Sequence, residues 1–366
     1  MKITHLQMEQ FRSYPYVDMR LEEGITVLYG ANAQGKTNLL EGVFLCSAGK
    51  SHRAVQDREM IREDAEQAHL RAQILRTDAE HTLDIHLARA GGKRISVDGA
   101  RLRRLADFVG HLKCVLFSPE NIRMIDQGPV MRRQYMDLAL CQTDRRYVAC
   151  LVDYNRALKQ RNALLRAGAP APLHDILSVW DEQLASCGGR IMQLRESFLK
   201  QVAPVAANIY GTIAQENEQM QILYRPGAAG ADGDHRERIL MALSQSRRED
   251  MARRLTTAGP HRDDFFITID GREARRYASQ GQRRTAALAL KLSELYWMQD
   301  TAGERPVLLL DDVFSELDIR RRERLMHAVS DGQTLITCTE AETLPIDRGR
   351  IAAMYRVSGG RLRRET

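Results

Sequence analysis

Residues Gly30-Ala31-Asn32-Ala33-Gln34-Gly35-Lys36-Thr37 fit the pattern G-x-x-x-x-G-K-[ST], between an apolar strand and a helix expected from about Lys36 to Ser47. Glycines at both ends let successive backbone N–H groups curl round a chain of phosphates, and a helix starting at Lys36 adds the positive end of its dipole. Lys36 brings a charge to the β and γ phosphates, where it binds and helps catalysis, and the Thr37 hydroxyl suits Mg²⁺. Far along the chain, Val307-Leu308-Leu309-Leu310 runs into Asp311 and Asp312. A continuous apolar run ending in acids reads as a buried parallel strand that presents carboxylates at its C-terminal end. Asp311 is the candidate Mg²⁺ carboxylate, acting directly or through a bound water, and Asp312 the group that polarises an attacking water. Together these residues point to a phosphoryl-transfer site, whose chemistry needs mainly positioning and charge neutralisation.

A third element precedes the acid-tipped strand: Ser279-Gln280-Gly281-Gln282 opens a strongly apolar helix over Ala286–Trp297. A hydroxyl, a bare backbone N–H and a helix N-terminus form an anion site. In this order the motif resembles the signature of ABC-type ATPases, and Ser315-Glu316-Leu317-Asp318 resembles their D-loop. Further blocks are similar to the bacterial RecF family within the ABC/SMC ATPases: Gly30 to Glu41, Ser51-His52-Arg53, Phe117-Ser118-Pro119-Glu120, Gly259 to Asp264, and Leu308 to Asp318. The resemblance implies that Ser279 and Gly281, with Gln282 beside them, meet the γ-phosphate held by a second copy, so that ATP joins two heads into a homodimer on DNA. It further implies recombinational gap repair, RecA loading with RecO and RecR, and roles in replication maintenance and SOS induction. Two positions depart from the usual ABC pattern. Asp312 stands where most have Glu, and the shorter arm implies slow hydrolysis; the resemblance implies a weak ATPase stimulated by DNA. Thr337-Cys338-Thr339 occupies the place of a switch histidine, leaving the γ-phosphate sensor open; Ser118 and Gln127 both remain candidates for the Q-loop position.

The elements that must hold these residues are legible as periodicity. Strands are expected at Ile3–Met8, Ile25–Tyr29, Leu70–Leu75, Leu83–Leu87, Arg94–Val97 and Cys114–Phe117, with Asp98-Gly99 as a hairpin turn. From about Pro119 the pattern turns helical. Tyr147, Leu151, Tyr154, Leu158 and Leu165 form one stripe that stops at Gly168. After a linker at Gly168–Pro172, a second helix runs from Leu177 to Val202, with Pro204 expected to kink or break it. Pro226–Asp234 reads as a mobile loop. Strand character returns at Phe265–Ile269, Val307–Leu310, Leu335–Thr339 and Ala352–Val357. The expected architecture is an α/β ABC-type ATPase head, a mixed sheet with helices, split by a helical insertion. Its parts are 1–118 and 255–366 for the head and 119–254 for the insertion.

The chain of 366 residues has 43% hydrophobic and 28% charged residues, an ordinary globular balance. No window approaches the roughly 18 apolar residues of a membrane span, and the first residues lack a signal-peptide core. A cytoplasmic location without membrane contact is expected. The 6 cysteines are scattered with no Cys-x-x-Cys pair and read as reduced packing residues. A net charge of +6 with clustered arginines suits a polyanion; Arg53, Arg132 and Arg133 are candidate DNA contacts. No base-reading motif is present, so DNA would be held through its phosphates. A rival reading, the nucleotide-binding subunit of an ABC transporter, is opposed by the insertion, the arginine clusters and the missing switch histidine. A small-molecule kinase would have no use for Ser279 and Gly281.

Overall fold

The computed structural model describes residues 1–77, 79–168, 173–214, 218–228, 233–329, 332–341, 344, 346 and 348–365. The chain opens with β1 (Lys2–Phe11), β2 (Tyr14–Arg20), β3 (Ile25–Tyr29), α1 (Lys36–Ala48), β4 (Gln67–Leu75), β5 (Glu80–Ala88), β6 (Gly92–Val97), β7 (Ala100–Leu102), α2 (Leu105–Phe108) and β8 (Cys114–Phe117). Then come α3 (Arg123–Asp126), α4 (Pro129–Thr143), α5 (Arg145–Ala167), α6 (Leu173–Ile213), β9 (Met220–Arg225), α7 (His235–Arg253), β10 (Asp264–Ile269), β11 (Arg272–Glu273), α8 (Ala274–Tyr277) and α9 (Gln280–Ala302). The last elements are β12 (Val307–Asp311), α10 (Ile319–Val329), β13 (Thr334–Cys338), β14 (Ile351–Ser358) and β15 (Arg361–Arg364). Two compact units result: Met1–Ile122 with Ala287–Thr366, and Arg123–Ala286.

The first unit contains two six-stranded sheets. One is antiparallel, in the order β2-β1-β4-β5-β6-β7. Its strands alternate as a half-buried sheet requires: Leu70, Ala72 and Ile74 turn into the core while His69, Arg71 and Gln73 face outward. Asp98 and Gly99, both at positive φ (52° and 77°), make the tight turn between β6 and β7. The other sheet runs β15-β14-β3-β13-β12-β8, parallel apart from the edge strand β15. Strands β8, β12 and β13 are buried along their whole length, which is why their sequences are mostly apolar, with Asp311, Thr334 and Thr337 as buried polar exceptions. Helix α1 contacts both sheets and is buried nearly all round, so it carries no polar stripe. Leu39, Leu40, Val43, Phe44 and Leu45 are at most 3% exposed, each contributing roughly 1.5–3 kcal/mol of burial.

In the second unit α6 packs along both α5 and α7. The stripe of α5 buries Tyr147, Tyr154 and Leu165, and Gly168, at φ 60°, ends the helix. Within that stripe lies a fully buried Arg161, which donates to Asp181, Asp250 and Thr256 at 2.7, 2.7 and 2.9 Å. Pro204 does not break α6, which continues to Ile213. The proline sits on the exposed side, while Val202, Ala206 and Tyr210 hold the inner side in the core. The expected linker beyond Gly168 and much of the expected loop at Pro226–Asp234 lie outside the described residues.

Two expectations about organisation change. The second unit is not purely helical, because β9, β10 and β11 form an antiparallel sheet in it. Its limits also differ from 119–254. Residues 255–286, read from sequence as head, fall in the second unit because β10 pairs along its length with β9. Among the described residues, no helix is long and apolar enough to cross a membrane.

Candidate nucleotide site

The loop Gly30–Thr37 leaves β3 and enters α1. Gly30 and Gly35 have φ of 152° and 111°; a Cβ on Gly30 would lie 2.3 Å from the Val357 carbonyl oxygen, and one on Gly35 2.6 Å from Ser13 Oγ. Only glycine fits at these two bends. The backbone of Ala31, Asn32 and Ala33 is exposed between them, with Ala33 also at positive φ (64°), so this stretch is open to a ligand. Gln34 anchors the loop from outside: its Oε1 accepts from Gly359 N at 2.7 Å, and its backbone oxygen accepts from Gly360 N. The Tyr14 hydroxyl donates to the Gly35 carbonyl at 3.0 Å. Lys36 is buried, and its Nζ donates to the carbonyls of Gly30 and Ala31 at 2.5 and 3.0 Å, folding the ammonium across the cradle.

Behind the loop stand the two acids. Asp311 ends β12, 7% exposed, and its Oδ1 accepts from Thr37 Oγ1 (2.9 Å) and from Thr337 Oγ1 (2.8 Å). Burial raises the Asp311 pKa, against the pull of the two hydroxyls and of the positive charge of Arg53. An ionised carboxylate held in such a place is short of positive charge. It fits a hard cation, and Mg²⁺ takes oxygen donors of the kind Thr37 and Asp311 supply. The same Thr337 oxygen accepts from Asp312 N at 2.9 Å, and Asp312 adopts the left-handed conformation, φ 50° and ψ 28°. One buried hydroxyl therefore ties the two acids together. Sequence reading named Thr337 only with Cys338 and Thr339, as the stretch standing where a switch histidine is usual, and gave it no role toward the acids. Ser118 follows β8, the strand beside β12, and its N–H is taken by Asn121 Oδ1.

Arg53, read as a candidate DNA contact, is exposed beside the phosphate loop. Its Nη1 reaches Asn38 Oδ1 at 3.4 Å, and its charge acts on Asp311. The segment before it is pinned to α1: Glu41 accepts both arms of Arg12 (2.9 and 2.7 Å) and the Ser51 hydroxyl. Burial lowers His52 to about 4, leaving it neutral against Phe44. Arg132 and Arg133, by contrast, are turned into the protein. Arg132 is 5% exposed, doubly bonded to Asp264 (2.6 and 2.9 Å) and bonded to the carbonyls of Met124 and Gln127. Arg133 donates to the Asp263 carbonyl at 2.8 Å. Both are structural members of the second unit.

Ser279 and Gly281 also belong to the second unit, at the exposed start of α9. Ser279 Oγ accepts from Gln282 N (3.2 Å) while Gln282 Oε1 accepts from Ser279 N (2.8 Å), a reciprocal cap. Gln282 Nε2 in turn donates to Glu218 Oε1 at 2.8 Å.

A phosphate-shaped loop, an acid-tipped parallel strand and a second unit inserted into the chain define a nucleotide-binding head of the ABC/SMC type. Residues 2–360 match the family described as the RecF/RecN/SMC N terminal domain. Proteins called DNA replication and repair protein RecF are 38% identical over 361 residues in Lachnoclostridium phytofermentans (98% of this chain, 99% of that one) and 39% identical over 352 residues in Symbiobacterium thermophilum (94% and 93%). The chain belongs to the RecF family. Among solved structures, the recombination mediator protein RecF with ATP, in the RecFOR pathway, superposes with a TM-score of 0.92 at 34% identity, covering 100% of this chain and 97% of that chain. An Smc head bound to the C-winged helix domain of ScpA shares the fold alone, with a TM-score of 0.58 at 15% identity over 100% of this chain and 97% of that chain.

Proposed function

We propose that this chain is an ATP-gated DNA clamp of recombinational gap repair. ATP with Mg²⁺ binds at Gly30–Thr37 and Asp311, and Ser279 and Gly281 of a second copy close over the γ-phosphate, so that the dimer forms on DNA. Asp312 orients the attacking water. Its short arm and twisted backbone suit slow hydrolysis, used as a timer that releases the clamp. Through the family, the clamp supports RecA loading with RecO and RecR, and roles in replication maintenance and SOS induction.

The observation that supports this reading is the chain of contacts Thr37–Asp311–Thr337–Asp312, which links a hydroxyl suited to a metal, a buried carboxylate and a candidate water-orienting acid beside one phosphate loop. The test is binding of a labelled gapped duplex with and without ATP, over a series of salt concentrations. ATP should tighten binding, and salt should weaken it steeply. In Lys36→Arg the bulkier planar head should disturb the cradle and remove the effect of ATP. DNA affinity indifferent to ATP in the unsubstituted protein would exclude a gated clamp.

A further inference from the structure

The structure separates arginines that serve the fold from arginines left for a partner. Arg132 and Arg133 are held by Asp264 and the Asp263 carbonyl, Arg247 by Asp181, Arg253 by Glu249, Arg321 by Asp318 and Arg322 by the Leu317 carbonyl. The cluster on the β6–β7 hairpin is different. Arg94, Arg101, Arg103 and Arg104 are all exposed, and none has a carboxylate or carbonyl partner among the described residues.

Strand register puts two of these charges, Arg94 and Arg101, on one face of the antiparallel sheet. Across the strands, Arg71 faces Asp84, Asp84 faces Ser96 and Ser96 faces Arg101; in the next row His69 faces His86, and His86 faces Arg94. Cross-strand partners point to the same side, so Arg71, His86, Arg94 and Arg101 share the outward face. Arg103 and Arg104 follow at the exit of β7. The carboxylate in these rows, Asp84, is buried and already taken by His69 at 2.9 Å and Arg71 Nε at 2.8 Å. The other acids of this sheet are Glu9 and Asp18 on β1 and β2, Glu80 at the start of β5, and Asp98 in the β6–β7 turn, which is taken by His81 at 2.8 Å and by the Thr82 N–H at 2.7 Å. Unpaired like charges on neighbouring strands oppose sheet formation, and a polyanion laid across them removes that cost.

We propose that the β6–β7 edge of this sheet is a DNA-backbone contact, in which Arg94, Arg101, Arg103 and Arg104 bind phosphates. From β4 to β7 the strands span about 14 Å, enough for several phosphates on a duplex that carries one charge per roughly 1.7 Å of axis. Guanidinium forks suit phosphate oxygens and carry no base specificity. The inference rests on the DNA-binding reading above and adds where the duplex lies.

The experiment compares two matched double variants in the salt series with the gapped duplex and ATP. Arg101→Gln/Arg103→Gln removes two hairpin charges; Arg361→Gln/Arg363→Gln removes two exposed charges from β15, in the other sheet of the same unit. The hairpin variant is expected to keep its melting temperature and to lower the slope of log affinity against log salt by about two, with the β15 variant close to the unsubstituted protein. Equal losses in the two variants would mean diffuse attraction and overturn the assignment, as would an unchanged slope in the hairpin variant. If the unsubstituted protein showed no salt-dependent DNA binding, the functional reading itself would fall, and this site with it.

Discussion

Removing the Thr337 hydroxyl would leave both acids of the site without their brace. In Thr337→Val the shape is kept, but the Asp312 N–H loses its acceptor and Asp311 one of its two donors. Leaving such groups unpaired costs roughly 1–3 kcal/mol, so ATP turnover should fall by about tenfold or more while ATP affinity changes little. Thr337→Ser should restore most of the rate. Steady-state turnover of the two variants decides it, since a purely packing role would make Val the milder change. At this scale the sequence exposes residues whose pattern is dictated by the ligand: Gly30, Gly35, Lys36 and Thr37 are spaced by phosphate geometry. It hides residues whose importance lies in a neighbour. Thr337 matters through Asp311 and Asp312, and Arg132 is a cation whose burial beside Asp264 no local pattern records.

Among the elements, β3, α1 and β12 were readable because burial on both sides writes itself as an unbroken apolar run beside a sharp motif. The sheet of β9 and β10 was not: Met220–Arg225 alternates only weakly, and its partner at Asp264–Ile269 lies beyond all of α7. Pro204 misled because a proline rule describes the helix and not the core that α6 buries. The turn at 259–264 is held by Arg195, which donates to the Pro260 carbonyl (2.7 Å), Asp263 (2.8 Å), Asp137 (2.7 Å) and the Tyr147 hydroxyl (3.0 Å). Arg195→Met would strand a fully buried Asp263, and should destabilise the second unit by about 3–5 kcal/mol, read as a lower urea midpoint; an unmoved midpoint would show the network to be dispensable. The same turn carries a pH dependence. Burial lowers His261 to about 4, between Tyr154 and the Thr256 carbonyl. Below the ordinary histidine value of 6.5 the unfolded chain takes up a proton that the folded one refuses. Stability should therefore fall as pH drops from about 6.5 towards 4, by on the order of 2–3 kcal/mol for this residue. Thermal melts across that window should show the decline, and His261→Phe should flatten it.

For the whole molecule, Lys36 and Asp311 belong to the first unit and Ser279 and Gly281 to the second, and the proposed clamp joins the two sets only across two copies of the chain. A nucleotide bound by the first set in one copy and capped by the second set of another would make ATP the bond between subunits, and hydrolysis the step that breaks it. The exposed hydroxyl of Ser279, already placed at a helix N-terminus, is where that bond should be most sensitive to bulk. The direct test is the mass in solution with a slowly hydrolysed ATP analogue and Mg²⁺. The account predicts that the 41.6 kDa chain doubles in mass with nucleotide and that Ser279→Arg binds nucleotide yet stays at 41.6 kDa. A chain that keeps its single mass at saturating nucleotide, or a Ser279→Arg variant that dimerises as well as the unsubstituted protein, would contradict it.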